Sequence, residues 1–510
     1  MPDGFDPHIN SSYEMGMVLR SVYDTLVYRD PQTKDFIPGL AEKWAVSDDG
    51  LTYTFTLRKG VRFHDDTPFN ANAVGVNLDR ITDPGNKSQR AINLLGPYDH
   101  YTIVDPQTIQ IVLKTPYAPL LDGLSQVYTG IASPTAIKQY DASQYQFHQA
   151  GTGPFYVNDY VPGDHIMLRR NPNYVWRPTF YKAPGPASVD EVEFRFLDDA
   201  ATRAPALEKG DVDVMEELSP SDALLFTGNT SVRLYPQAIP GEPMQFLMNT
   251  TFAPTDNPEL RRALLLATNR TAIVDAVFQQ FSPVAYGPIS AITPYNDAGV
   301  KDKYQYDPKA ASDLLTNLGY APKKQDTPAA GNANNSSDNQ LYLGEVKLHL
   351  IMVVPTWGQA PEVAQQVQNQ WRDLGIVVEI KEVPNLAGLQ DVVQTGQYNL
   401  IAYNDFGLDA NVIAQRYRTD SPSNWLHYSD SNMDSWSQRS MEALDSVTRQ
   451  NMFTAIQGQV ADQALTLPVR DYVNLNGARA TVRGLSFDAY GWYPLLPNLE
   501  LVPVTPGGSK

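Results

Sequence analysis

The chain has 510 residues, 42% hydrophobic and 19% charged, so it is longer than one hydrophobic core usually serves and is expected to form two or three domains. A net charge of −18 with no basic stripe argues against a nucleic-acid partner, since a phosphate-binding surface needs clustered Lys and Arg. The absence of cysteine removes zinc-thiolate sites, iron–sulfur clusters, thiol nucleophiles and disulfides.

The N-terminal MPDGFDPHINSS has no basic-then-apolar signal segment, and no run of eighteen apolar residues follows anywhere. Two readings stay open at this point: a cytoplasmic protein, or one whose leader has been removed. The first region is rich in strand and turn signals. TYTFTLRKGVRFH alternates apolar and polar residues around Lys59-Gly60, which predicts a hairpin turning there. A helix is expected from Ala71 to Ile81. TIVDPQTIQIVLK predicts a hairpin turning at Asp105-Pro106, and FYVNDYVPGDHIMLRR another at Pro162-Gly163, followed by the strand VDEVEFRF.

After about Pro240 helices alternate with strands. Asn257 caps a predicted helix with Pro258 at its first position, and Asp307-Pro308 repeats the device with Leu314, Leu315 and Leu318 inward and Gly319 as the stop. Lys323–Asn339, polar and turn-rich, reads as a surface insertion or mobile loop. From Val346 the order is strand VKLHLIMVV, helix PEVAQQVQNQWRDLG, strand IVVEI, helix NLAGLQDVVQTG, strand YNLIAY, a βαβαβ pattern. Ligands of such sheets lie beyond the carboxyl ends of the strands. That rule selects Pro355-Thr356-Trp357-Gly358 and Asn404-Asp405-Phe406-Gly407 with Asp409, against the plainer reading of both as ordinary turns.

Catalytic and metal motifs are missing: there is no G-x-S-x-G, H-E-x-x-H or G-x-x-x-x-G-K-[ST]. Gly151-Thr152-Gly153 starts a dinucleotide fingerprint, but Tyr156 stands where its third glycine belongs, so it reads as a turn entering a strand. His64-Asp65-Asp66 puts possible metal ligands side by side. Adjacent strand residues point to opposite faces, which favours a structural turn.

Long segments in order carry a resemblance: FIPGLAEKWAVSDDGLTYTFTLRKGVRFHDDTPFNANAVGVNLDRI, GTGPFYVNDYVPGDHIMLRRNPNYVW, LRRALLLATNRTAIV, GIVVEI and PVRDYVNLNGARATVRGLSFDAY. Together they resemble the family 5 extracellular solute-binding proteins of ABC importers, the oligopeptide, dipeptide and nickel-binding group, over essentially the whole chain. The resemblance implies an α/β, two-lobed periplasmic-binding-protein fold of type II, with a ligand cleft between hinged lobes. Its three subdomains would be Ia (1–46, 150–240 and 469–510), Ib (47–149) and a second lobe (241–468). It implies a monomeric receptor in the periplasm or outside the cell, possible lipid anchoring included, that hands a peptide or other small polar solute to membrane permease subunits without catalysis, metal or cofactor. In such proteins the LRKGVRFHD segment is a fold signature, so His64 is not expected to touch ligand.

By the same resemblance, first-lobe contacts come from the loop carrying Ser11, Ser12, Tyr13 and Glu14 and from around Tyr128. Second-lobe contacts come from Trp357, Asp405, Phe406 and Asp409, with Trp425 either facing the ligand or in the core. Peptide binders pair an acid in a D-x-P-D-P-like motif with the ligand's amine; this chain reads DFGLDAN, leaving Asp405 and Asp409 both as candidates. VVPTWGQAPE lacks the arginine that holds a dipeptide's carboxylate and has Trp357, which would stack on a flat ligand or sugar ring or wall the pocket. An oligosaccharide receptor is the alternative within the family; an enzyme or a sensor on the same fold are alternatives outside transport.

Overall fold

Alternation of side chains along each strand builds the first sheet of the protein, described here from a computed structural model covering residues 4–174, 176–182, 185–323 and 339–502. The strands Ala41–Val46, Thr52–Leu57, Thr108–Leu113 and Tyr98–Asp105 pair antiparallel in that order. Tyr53, Phe55 and Leu57 on one strand and Ile109, Ile111 and Leu113 on its neighbour all point to the buried side. Each such side chain contributes about 1.5–3 kcal/mol by leaving water. The helix Ala71–Thr82 belongs to the same core through Val74, Leu78 and Ile81. Asn70 caps it by accepting from the Ala73 N–H.

The hairpin expected at Lys59-Gly60 is not there. Both edges of Thr52–Leu57 are already occupied, by Ala41–Val46 and by Thr108–Leu113, so Val61–Phe69 has no sheet position left and folds on itself. Its turn lies at Asp65-Asp66, with Phe63 N–H donating to Thr67 O and Asp66 N–H to Phe63 O, and Asp66 at φ 62°. Downstream, the hairpin Phe155–Val161 with His165–Arg170 forms about Pro162-Gly163, and Glu191–Arg195 adds a third strand. Gly151 and Gly153 precede it where the backbone passes close to Ser21 and Val22; a Cβ on Gly151 would lie 2.0 Å from the Val22 carbonyl oxygen. That contact explains the glycines without a nucleotide.

The chain divides into two compact units. The first comprises Met1–Gln237, Met441–Leu444 and Asn474–Lys510, and the second Ala238–Ser440 and Asp445–Val473. In the second, a five-stranded sheet runs in the order Val377–Val383, His349–Pro355, Leu400–Ala402, Met244–Met248, Thr466–Arg470. The first three are parallel and the last two antiparallel to their neighbours. The helices Ala360–Asp373 and Leu386–Thr395 make the crossovers. Ala360, Val363, Ala364, Val367 and Trp371, three and four residues apart, form the buried stripe of the first helix. The predicted strand at 346–354 is divided: Val346–Lys347 pairs with Leu341–Leu343 in a separate ribbon, and only His349–Pro355 enters the main sheet. Asn257 and Asp307 cap Pro258–Leu266 and Pro308–Asn317; Leu315 is fully buried, while Leu314 and Leu318 are half-buried. Most of the insertion at 323–339 lies outside the described residues.

Candidate functional site

His64 is occupied by the backbone. Its Nδ1 accepts from the Gly151 N–H at 3.2 Å, which places the ring proton on Nε2, and Nε2 donates to Gly153 O at 2.9 Å. Burial lowers its pKa to about 4, so the ring is neutral and holds the Gly151–Gly153 loop. Asp65 accepts from Thr67 and Ser133, completing the turn rather than facing His64.

In the first unit, Ser12, Tyr13 and Tyr128 come together. Ser12 caps the helix Tyr13–Leu19 by accepting from Met15 N–H, and its carbonyl accepts from the Tyr128 hydroxyl at 2.9 Å. The Arg90 guanidinium stands 4.3 Å from the ring centroids of both Tyr13 and Tyr128, and Tyr13 also meets the Trp492 ring. Tyr128 is buried, whereas Tyr13 is half-exposed and Glu14 exposed. The cation–π contact holds the first turn of the helix that carries Glu14.

In the second unit, Trp357 and Asp405 follow two neighbouring parallel strands, joined by the pairing of Met352 with Leu400. Their loops therefore emerge at one carboxyl edge of the sheet. Trp357 is 45% exposed. Asp405 takes part in a charged cluster: Arg416 donates through Nε and Nη2 to both oxygens of Glu242 (3.0 and 2.9 Å) and through Nη2 to Asp405 Oδ2 at 2.8 Å. The Asp405 N–H donates to Glu242 at 2.8 Å, and the Tyr403 hydroxyl donates to Asp405 Oδ1 at 3.2 Å. Glu242 and Arg416 are sealed from solvent, but the Asp405 side chain is 41% exposed. Burial raises the Glu242 pKa, and Arg416 holds that rise back. Two carboxylates share one guanidinium, so the surplus negative charge reaches solvent at Asp405.

Aromatic rings surround this cluster. Tyr403 and Trp425 lie 4.1 Å apart, Arg416 sits 5.0 Å from the Tyr403 centroid, and Phe406 meets Tyr472 edge-on at 4.7 Å. Trp425 is buried, so its contribution is packing beneath Tyr403. Asp409 lies apart from Asp405's cluster: it is buried, accepts from Arg449 Nη2 at 2.6 Å and from the Asn411 N–H at 2.9 Å, and ties its loop to the helix Ser446–Asp462. Sequence reasoning missed Arg416, Glu242 and Arg449. No local signal marks them, because each meets its partner only through the fold.

The model of the bacterial extracellular solute-binding proteins, family 5, matches residues 35–427. The chain belongs to this family. The glutathione-binding protein GsiB of Shigella flexneri is 34% identical over 316 residues, 62% of this chain and 59% of that protein, so the alignment spans less than two thirds of such curated relatives. Among solved structures, NikA from Brucella suis in complex with Fe(III)-EDTA has a TM-score of 0.86 at 22% identity, covering 98% of both chains. DppA from Helicobacter pylori in complex with peptide STSA has a TM-score of 0.77 at 21% identity, covering 98% of this chain and 96% of that one. These structural likenesses are ones of fold: the mixed α/β, two-lobed fold of family 5. The family is one of extracellular binding proteins rather than enzymes.

Proposed function

We propose that the chain is the solute receptor of an ABC importer, capturing a small polar solute, with a peptide bearing a free amino terminus the favoured class, and passing it to membrane permease subunits. The proposal includes a monomer, three subdomains with residues 47–149 as the second of them, and lipid attachment through a leader. It rests on one observation above the others: at the carboxyl edge of the second unit's sheet, an exposed indole and a half-exposed carboxylate stand on adjacent strand ends, the carboxylate held by the buried Glu242–Arg416 pair. Asp405 suits an ammonium group, since its side chain keeps a solvent face and the surplus charge of its cluster. Asp409 is less suited, because Arg449 already compensates it. The exposed face of Trp357 also favours a second reading, an oligosaccharide stacked on the indole.

Native mass spectrometry and thermal-shift panels of peptides and oligosaccharides test the reading. A solute at one hundred times its Kd stabilises the protein by about 2.7 kcal/mol. Asp405→Asn should weaken peptide binding about tenfold or more while leaving the fold intact. Asp409→Asn should instead lower stability and leave the affinity of the folded fraction nearly unchanged. Equal peptide affinity in Asp405→Asn and the parent would sink the amine role.

A further inference from the structure

Buried cations of the second unit are answered in two ways. Arg416 and Arg449 meet carboxylates, whereas Arg270 meets none among the described residues. Arg270 opens the helix Arg270–Phe278 and is only 7% exposed. Its Nη1 donates to Ala285 O at 3.3 Å and its Nη2 to Tyr304 O, while the guanidinium carbon stands 4.8 Å from the centroid of the Tyr286 ring. Two neutral carbonyls thus take one N–H each. The rest of the five N–H donors of this side chain find no acceptor among the described residues. Burial lowers the pKa of the group, the direction expected of a charge without a counter-ion.

A cavity lies against this side chain. Leu265, Val300, Val460 and Pro468 make its walls largely apolar, and no carboxylate lines it among the described residues. It leaves about 20 Å³ for the centre of a water-sized guest, which is room for one small occupant and too little for a phosphate, a sulfate or a peptide. An uncompensated charge, donors with no acceptor and an open space therefore meet in one place. A buried ion without a counter-charge is costly to keep, and the low dielectric that makes it so also strengthens its pull on an anion.

We infer that the Arg270 cavity is a binding site for one small monovalent anion of chloride size. The anion accepts from the guanidinium N–H groups and neutralises a charge that the fold leaves unanswered. A water molecule fits the same space but leaves the charge as it is. The walls come from the helices Pro258–Leu266 and Ser446–Asp462 and the strand Thr466–Arg470, so an anion held there stabilises the packing of these elements. The inference goes beyond the receptor reading and does not depend on it.

The test uses the full chain. In crystals grown with sodium bromide, the anomalous signal should place one bromide within hydrogen-bonding reach of Arg270. In solution, sodium chloride should raise the Tm of the parent above its value in sodium gluconate at equal ionic strength. The chloride affinity read from that rise should fall about tenfold or more in Arg270→Met, which keeps an unbranched side chain and removes the charge. Should that variant fail to fold, Ala461→Val, which adds methyl groups at the cavity wall, takes its place. A cavity without bromide overturns the inference and leaves the space to water. Bromide in the crystal together with a Tm rise that the parent lacks, or that the folded variant shares in full, means binding at crystal concentration only and overturns it as well. No peptide or oligosaccharide enters the experiment, so its failure leaves the receptor reading untouched.

Discussion

Glu242 in the second unit and Asp24 in the first are both sealed from solvent, yet they are held by different chemistry. In the second, Glu242 and Asp405 close on Arg416, and Asp409 closes on Arg449, with backbone N–H groups filling further lone pairs. In the first, Asp24 is held by hydroxyls, accepting from Tyr28 at 2.6 Å and from Thr152 at 2.7 Å, and burial raises its pKa to about 6. A carboxylate that is bidentately paired and buried shapes the loop it sits on. One held by hydroxyls is compensated less, so burial moves its pKa upward. The contrast separates acids answered by a cation from acids answered by neutral donors, and residue type alone does not reveal which is which.

The largest expected effect comes from breaking the closed cluster. Arg416→Met leaves Glu242 buried and unpaired, a loss of about 3–5 kcal/mol in urea unfolding. Arg449→Met should cost less, about 1.5–3 kcal/mol, because Asp409 keeps the Asn411 N–H and a small solvent face. Should Arg416→Met cost under about 1 kcal/mol, the cluster is not the rigid base that the contrast requires.

The next effect has the opposite sign. The folded state holds a proton on Glu216 more tightly than the unfolded chain does, so the stability it contributes is full below the ordinary glutamate value and is lost as pH rises through the raised folded value. Glu216→Gln removes that loss. The variant should therefore gain stability over the parent at pH 8 and gain little at pH 4. Urea unfolding at both pH values decides it: a variant less stable than the parent at pH 8 would make Glu216 a residue whose charge the fold itself uses.

Much of the scaffold was legible because its signals are local. The strand alternations of Thr52–Leu57 and Thr108–Leu113, the Asn257-Pro258 and Asp307-Pro308 caps, and the spacing of Val363, Val367 and Trp371 each lie within one element. The hairpin misplaced at Lys59-Gly60 shows the limit. Local alternation does not say that both edges of a strand are already occupied by segments elsewhere in the chain. The loops of Trp357 and Asp405 were placed at one sheet edge from sequence because the rule for strand ends needs only the order of elements. Glu242 and Arg416 were not, since Glu242 meets the Asp405 N–H across 163 residues of sequence.

The smallest expected effect on stability comes from Trp357, and its smallness makes it useful. An indole 45% exposed at a loop after a strand has little packing to lose, so Trp357→Ala should change unfolding stability by no more than about 0.5 kcal/mol. Trp425→Ala, which empties a buried site under Tyr403, should cost about 3–5 kcal/mol. If Trp357 stacks on the solute, its removal weakens binding about tenfold, equivalent to about 1.4 kcal/mol, with the unfolding curve unmoved. Isothermal titration with whichever alanine peptide or oligosaccharide the panels select separates the cases. Loss of affinity for the oligosaccharide alone would assign the indole to a sugar face, and loss for the peptide alone would place it beside the backbone of a peptide held at Asp405. Unchanged affinity for both would leave the second unit's contribution to the charged cluster and its aromatic surround, narrowing the site to Asp405, Tyr403 and Phe406.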